Sequence, residues 1–160
     1  MDKTIKMYNL DKRVLIRTFA QHHTNGVKQL TYVSGFGGHL LSRGFELYVN
    51  VWSPENLYGD PYLGQLRGHK HPIVSMDSIK TQPYIITLDN ISEIIIWDIR
   101  NMYQLQNISS KTTKSMICHG IFCFTKQKFW LYGTRFFEFD KSGEEVEEKD
   151  ELQLIEEMIP

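Results

Sequence analysis

Cys118-His119, followed by Cys123, has the residue types of a metal box. Two thiolates and an imidazole suit zinc, provided that they converge on one point. The surrounding residues, SMICHGIFCF, read as a β-strand, and residue parity puts Cys118 and Cys123 on opposite faces of it. Ligands on opposite faces cannot share a metal, so both cysteines are expected to be structural, with neither a metal nor a cofactor. Gly35-Phe36-Gly37-Gly38-His39 has the glycine density of a phosphate-cradling loop. It lacks the Lys-Ser/Thr that would hold phosphate and Mg²⁺, and no helical pattern follows it, so it reads as a hairpin loop. His22, His23, His39, His69, His71 and His119 could each serve as a general base. No Ser or Cys elbow, paired carboxylates or triad accompanies them, and an enzyme is not expected. Asn90-Ile91-Ser92 and Asn107-Ile108-Ser109 match the glycosylation sequon. The opening MDKTIKMYNL has no apolar region or cleavage site of a secretory signal, so these asparagines are expected to stay unmodified.

The bulk composition fits that reading. With 41% hydrophobic and 23% charged residues, the chain matches an ordinary globular protein, and its 12% aromatics lean toward sheet. No apolar run approaches the roughly 20 residues of a membrane helix. Two cysteines make no disulfide framework, and the expected location is intracellular, in cytoplasm or cytoskeleton. The net charge of −1 divides unevenly: residues 140–160 carry nine acids against Lys141 and Lys149, which leaves the rest at +6. The basic residues are scattered rather than clustered, the pattern of a solvated surface.

What must position the histidines is a repeat. TIKMYNL (4–10), LYVNVWSP (47–54), EIIIWDIR (93–100) and RFFEFDKS (135–142) are apolar strands that align on Tyr8, Trp52, Trp97 and Phe139. The intervals are 44, 45 and 42 residues, the period of propeller blades built from four strands each. The third repeat is the most regular, with strands expected at 72–79, 83–89, 93–99 and 102–108 and a tight turn at Asn90-Ile91-Ser92. Ile94-Ile95-Ile96-Trp97 is apolar on both faces, as befits a strand between two other sheets.

The pattern of Gly68-His69, Asp89 and Trp97-Asp98 resembles the WD-repeat family, and the resemblance covers roughly residues 2–142. It implies an all-β fold, a partial WD-repeat β-propeller of about three and a half four-stranded blades. The divisions are a fragment at 1–19, blades at 20–67 and 68–110, an incomplete blade at 111–142 and an acidic tail at 143–160. The resemblance also implies a buried hydrogen-bonded tetrad of His69, Thr87, Asp89 and Trp97. A histidine pinned by a carboxylate meets a hydroxyl, which accepts the indole N–H, and every buried polar group is satisfied. The other repeats depart from this. The second has Gln21-His22-His23 for Gly-His, Ser42 for the hydroxyl and Gly44 where the Asp would stand. The fourth has Phe139-Asp140 for Trp-Asp. Their tetrads are read as incomplete, with Tyr8, Trp52 and Phe139 as apolar blade cores.

Such a resemblance implies a scaffold for protein–protein interaction. The wording GHKHPIVSMD…IITLDN…IIIWDIRN looks most like large WD-repeat proteins of the motile ciliary axoneme, including ones preceded by an EF-hand module. Trp97-Asp98-Ile99-Arg100 also resembles the box by which WD-repeat substrate receptors of cullin–RING ubiquitin ligases contact their adaptor, which would make Asp98 and Arg100 partner-binding. A third alternative, an RNA-associated propeller, has only the +6 body behind it. Expected partners are other protein subunits or the missing remainder of the same protein, since an open half-propeller exposes unpaired edges. No membrane, nucleic acid or small-molecule substrate is expected. The tail is read as solvated, or as a short amphipathic helix bearing Leu152, Leu154, Ile155, Met158 and Ile159.

Overall fold

A computed structural model describes residues 2–35, 37–79, 82–109, 118–123, 128–134, 136–140 and 145–148, with backbone alone at 118 and 145–148. Its strands gather in chain order into four sheets. The first contains β1 (Ile5–Asn9) and β2 (Val14–Phe19). The second contains β3 (Gln29–Val33), β4 (His39–Arg43), β5 (Tyr48–Trp52) and β6 (Tyr62–Arg67). The third contains β7 (Ile73–Ser78), β8 (Tyr84–Asp89), β9 (Ile94–Asp98) and β10 (Tyr103–Ile108). β11 (Cys118–Cys123), β12 (Lys128–Gly133), β13 (Phe136–Asp140) and β14 (Glu145–Glu148) make the fourth. Neighbours in sequence are neighbours in the sheet, and every pairing is antiparallel. Among the described residues no helix is long and apolar enough to cross a membrane.

The sheets stack face to face, and the cores lie between them. Val33, Leu41, Val49, Val51 and Leu66 of the second sheet pack on Ile73, Met76, Ile85, Ile95 and Trp97 of the third. The third sheet's opposite face, Ile86, Leu88, Ile94 and Ile96, packs on Ile121, Phe129, Leu131 and Phe139 of the fourth. This explains the unbroken isoleucine run of β9: both of its faces are interior. Ile5 and Phe19 of the first sheet meet Trp52.

One irregularity recurs at the aligned aromatics. The register shifts between Met7 and Tyr8, between Val51 and Trp52, and opposite Ile96 and Trp97. Each shift leaves one extra residue on the outer strand, Ile16, Leu63 and Leu105 in turn, and all three are exposed. The fourth sheet shows the same shift between Glu138 and Phe139, with Val146 as the extra residue. A bulge of this kind sharpens local twist and re-aims a side chain.

Two expectations are corrected here. The fourth sheet has an outer strand, β14, which falls inside the segment read as an acidic tail. An outer strand tolerates a charge run because one of its edges meets water. Residues 149–160, where the amphipathic spacing lies, are outside the described residues. Tyr8, read as a blade-core aromatic, is 53% exposed. Its sheet has only β1 and β2 among the described residues, so the phenol lacks the two inner strands that cover Trp52 and Trp97.

Candidate functional site

The most tightly organised polar groups lie at the ends of the second and third sheets. In the third, β8 carries Thr87 and Asp89, β9 carries Trp97, and the loop before β7 brings in His69. His69 Nδ1 lies 3.2 Å from Asp89 Oδ2, and because a carboxylate only accepts, the ring nitrogen donates. His69 Nε2 lies 2.7 Å from Thr87 Oγ1, which accepts the Trp97 indole N–H at 2.8 Å. All four residues are buried. The other carboxylate oxygen of Asp89 accepts the N–H groups of Ile91 at 3.0 Å and Glu93 at 2.9 Å. Asp89 thereby closes the β8–β9 turn, in which Ser92 takes a φ of +69°. One residue fixes both the turn and the histidine.

The second sheet holds a complete tetrad as well, contrary to its sequence reading. His23 Nε2 lies 2.7 Å from Ser42 Oγ, and Ser42 accepts the Trp52 indole N–H at 2.8 Å. The carboxylate is Glu46, with Oε2 at 3.1 Å from His23 Nδ1. Glu46 sits two residues beyond the expected position, and Gly44 occupies that position. A Cβ on Gly44 would press on the Gly26 carbonyl, the Glu46 carboxylate and His23, so the vacated space is what admits the longer side chain. The remaining oxygen of Glu46 binds the backbone N–H and the hydroxyl of Thr24, at 2.6 and 3.0 Å. This carboxylate braces the incoming loop rather than its own hairpin. Burial raises the Glu46 pKa, but hydrogen bonds from Thr24, its own backbone N–H and His23 outweigh that and hold it below the usual value. Asn50, fully buried, adds an amide N–H 3.2 Å from His23 Nε2, which makes that nitrogen an acceptor.

Among the described residues of the fourth sheet no such polar chain forms. Leu131 stands at the hydroxyl position, and Phe139 stacks on Phe129 with ring centres 5.6 Å apart. A different polar pair is buried on the opposite face: Glu138 accepts the Trp130 indole N–H at 3.0 Å and pairs with Lys128 at 2.6 Å.

The remaining candidates are also accounted for locally. Asp98 is buried and its carboxylate is wrapped by Arg100, with Nε at 3.0 Å, Nη2 at 2.5 Å and the Arg100 backbone N–H at 2.9 Å. The Arg100 contact lowers the Asp98 pKa against a smaller opposing effect of burial. Cys123 is buried against the third sheet. A bulge between Cys118 and Gly120 interrupts the alternation on which the parity reading of the two cysteines relied. His69, Asp89 and Glu93 bring ligand atoms within 4.8 Å of one another. Those atoms are engaged by one another, by turn amides and, at Glu93, by Asn107 at 2.6 Å, the wiring of a brace.

Side chains also cross between the sheets. Gln29 Oε1 accepts the Met76 backbone N–H at 3.2 Å, and Ser75 Oγ accepts that of Ile121 at 3.2 Å. By strand register Gln29 and Ser75 are equivalent, as are Met76 and Ile121. Arg43 strengthens the first junction, donating to the carbonyls of Ile73, at 3.0 Å, and Val74.

Four-stranded antiparallel sheets stacked face to face at a fixed sequence period define a β-propeller segment, and the His–Ser/Thr–carboxylate–Trp chain is that of WD40 repeats. Solved structures agree. "Structure of U3-55K" superposes with a TM-score of 0.76 at 9% identity, over 91% of this chain and 45% of that one. The RRP9 WD40 repeats superpose with a TM-score of 0.76 at 9% identity, over 91% of this chain and 44% of that one. At such identity the likeness is one of fold: the chain is a partial WD40 propeller. No family model matches it. In sequence it is similar to cilia- and flagella-associated protein 337 B of Tetrahymena thermophila, 27% identical over 128 residues. That alignment covers 76% of this chain and 10% of the relative, so the chain spans about a tenth of the relative's length.

Proposed function

We propose that this propeller segment is a non-catalytic protein–protein interaction scaffold, a structural part of a large assembly such as the motile ciliary axoneme. The observation that carries the ciliary assignment is the likeness to the cilia- and flagella-associated protein over 76% of the chain. The chemistry of the buried histidines supports the scaffold reading. His23 and His69 are each buried and held between a carboxylate and a hydroxyl. Such networks rigidify a core and hold surfaces in register. The ubiquitin-ligase alternative has less behind it, because Asp98 turns inward and is spent on Arg100 and the turn that follows β9.

The test is a tagged form of the complete protein expressed in a ciliated cell. Concentration of the tag along the cilium is the expected result. A diffuse cytoplasmic signal, with recovery of a ligase adaptor that Arg100→Ala abolishes, would instead select the alternative.

A further inference from the structure

The chain has seven asparagines, and the residue that follows separates one of them from the rest. Asn9, Asn50, Asn56, Asn90, Asn101 and Asn107 each precede leucine, valine, isoleucine or methionine, whereas Asn25 precedes Gly26. A bulky side chain shields the backbone nitrogen that follows an asparagine. Glycine leaves that nitrogen free to approach the asparagine's own side-chain carbonyl. The fold adds what the sequence alone does not carry. Asn25 is exposed, in the loop that leads to β3. Among the described residues neither its side-chain amide nor the Gly26 backbone N–H makes a hydrogen bond. Asn50, Asn56 and Asn107, by contrast, donate their amides to the His22 carbonyl, the Asp60 carbonyl and the Glu93 carboxylate.

We propose that Asn25 is a site of self-modification, which converts to isoaspartate in the folded protein and thereby releases Thr24 from Glu46. The Gly26 nitrogen gives up its proton to hydroxide and attacks the Asn25 side-chain carbonyl carbon. A C–N bond forms there, the bond to the amide nitrogen breaks, and ammonia leaves with a proton taken from water. Water then adds to the main-chain carbonyl of the cyclic imide, and the bond from that carbonyl to the Gly26 nitrogen breaks. The chain now runs through the former side chain and carries a free carboxylate. Nothing is oxidised or reduced.

The anchors on either side give the conversion its consequence. Glu46 holds Thr24 by its backbone N–H at 2.6 Å and its hydroxyl at 3.0 Å. Gly26 is buried, with its carbonyl packed against Gly44 so closely that a Cβ there would collide with it. Isoaspartate puts one more backbone atom between these two fixed points. The hydrogen bonds at Thr24 yield more readily than the packed Gly26, and the new carboxylate repels that of Glu46. Glu46 also holds His23, so the second tetrad loosens at its acid.

The test is to age the complete protein, folded, at physiological temperature and mildly alkaline pH, and to follow the tryptic peptide Thr18–Lys28 by mass spectrometry. That peptide should gain an isoaspartyl form, which accepts a methyl group from S-adenosylmethionine through an isoaspartyl carboxyl methyltransferase. The other six asparagines should stay intact over the same period. Amide exchange at Thr24 should quicken about tenfold or more in the converted fraction, as expected when a protecting hydrogen bond is lost. Asn25→Ser, aged in parallel, should show neither change. Asn25 intact in the folded protein, whether or not urea-unfolded protein converts, would overturn the site, as would equal loss at the other asparagines. Conversion that leaves Thr24 exchange unchanged would overturn the link to Glu46.

Discussion

Glu46 holds His23 at 3.1 Å in the same way that Asp89 holds His69 at 3.2 Å, although the two carboxylates occupy different positions in their hairpins. A structural tetrad is thus preserved in geometry while its acid has moved two residues and lengthened by one methylene. Glycine at position 44 makes the exchange sterically possible.

Glu46→Ala should destabilise the chain by about 1–3 kcal/mol, because it leaves the buried His23 ring and the Thr24 amide without an acceptor. Adding Gly44→Asp should not restore stability, since the new side chain would run into the Gly26 carbonyl. Urea unfolding monitored by tryptophan fluorescence measures both, and full rescue by Gly44→Asp would contradict the assignment.

Acid should act through the same residue. The Glu46 pKa is held below its ordinary value of 4.5, so its contribution is complete above that value and is lost as pH falls through the folded pKa. Asp98, also held below its ordinary value, titrates in the same direction. Glu46→Gln should therefore flatten, without abolishing, the loss of melting temperature on acidification. An unchanged acid limb in the variant would refute this.

The period, the strand order and the third-sheet residues were legible from sequence because they depend on local spacing. Thr87, Asp89 and Trp97 lie within one hairpin, and only His69 must be brought from outside it. The second tetrad was not legible, because its acid replaces a residue two positions away and no linear pattern carries that exchange. β14 was hidden for another reason: its glutamates read as a solvated tail, and only pairing with β13 makes them a strand. Tyr8 aligned correctly with the tryptophans, yet alignment carries no information about which strands cover it.

Trp97→Ala should cost about 3–5 kcal/mol, the range for removing a large buried ring. Trp97→Phe should cost less, since it keeps most of the packing and loses the indole donor to Thr87. Equal destabilisation by the two variants would mean that the hydrogen bond, and not the ring, dominates.

Arg43→Met should loosen the junction between the second and third sheets by about 1 kcal/mol, by leaving half-buried carbonyls of β7 without their donor. Faster amide exchange confined to β3 and β7 would localise the effect. Uniform exchange changes across all four sheets would count against a local clasp.

Fractionation of detergent-extracted cilia containing the complete tagged protein tests the scaffold proposal most directly. A structural axonemal component should stay in the microtubule pellet after the membrane and matrix are removed, and should cross-link to other pelleted proteins. Quantitative release into the detergent-soluble fraction, with no cross-links to pelleted proteins, would contradict it.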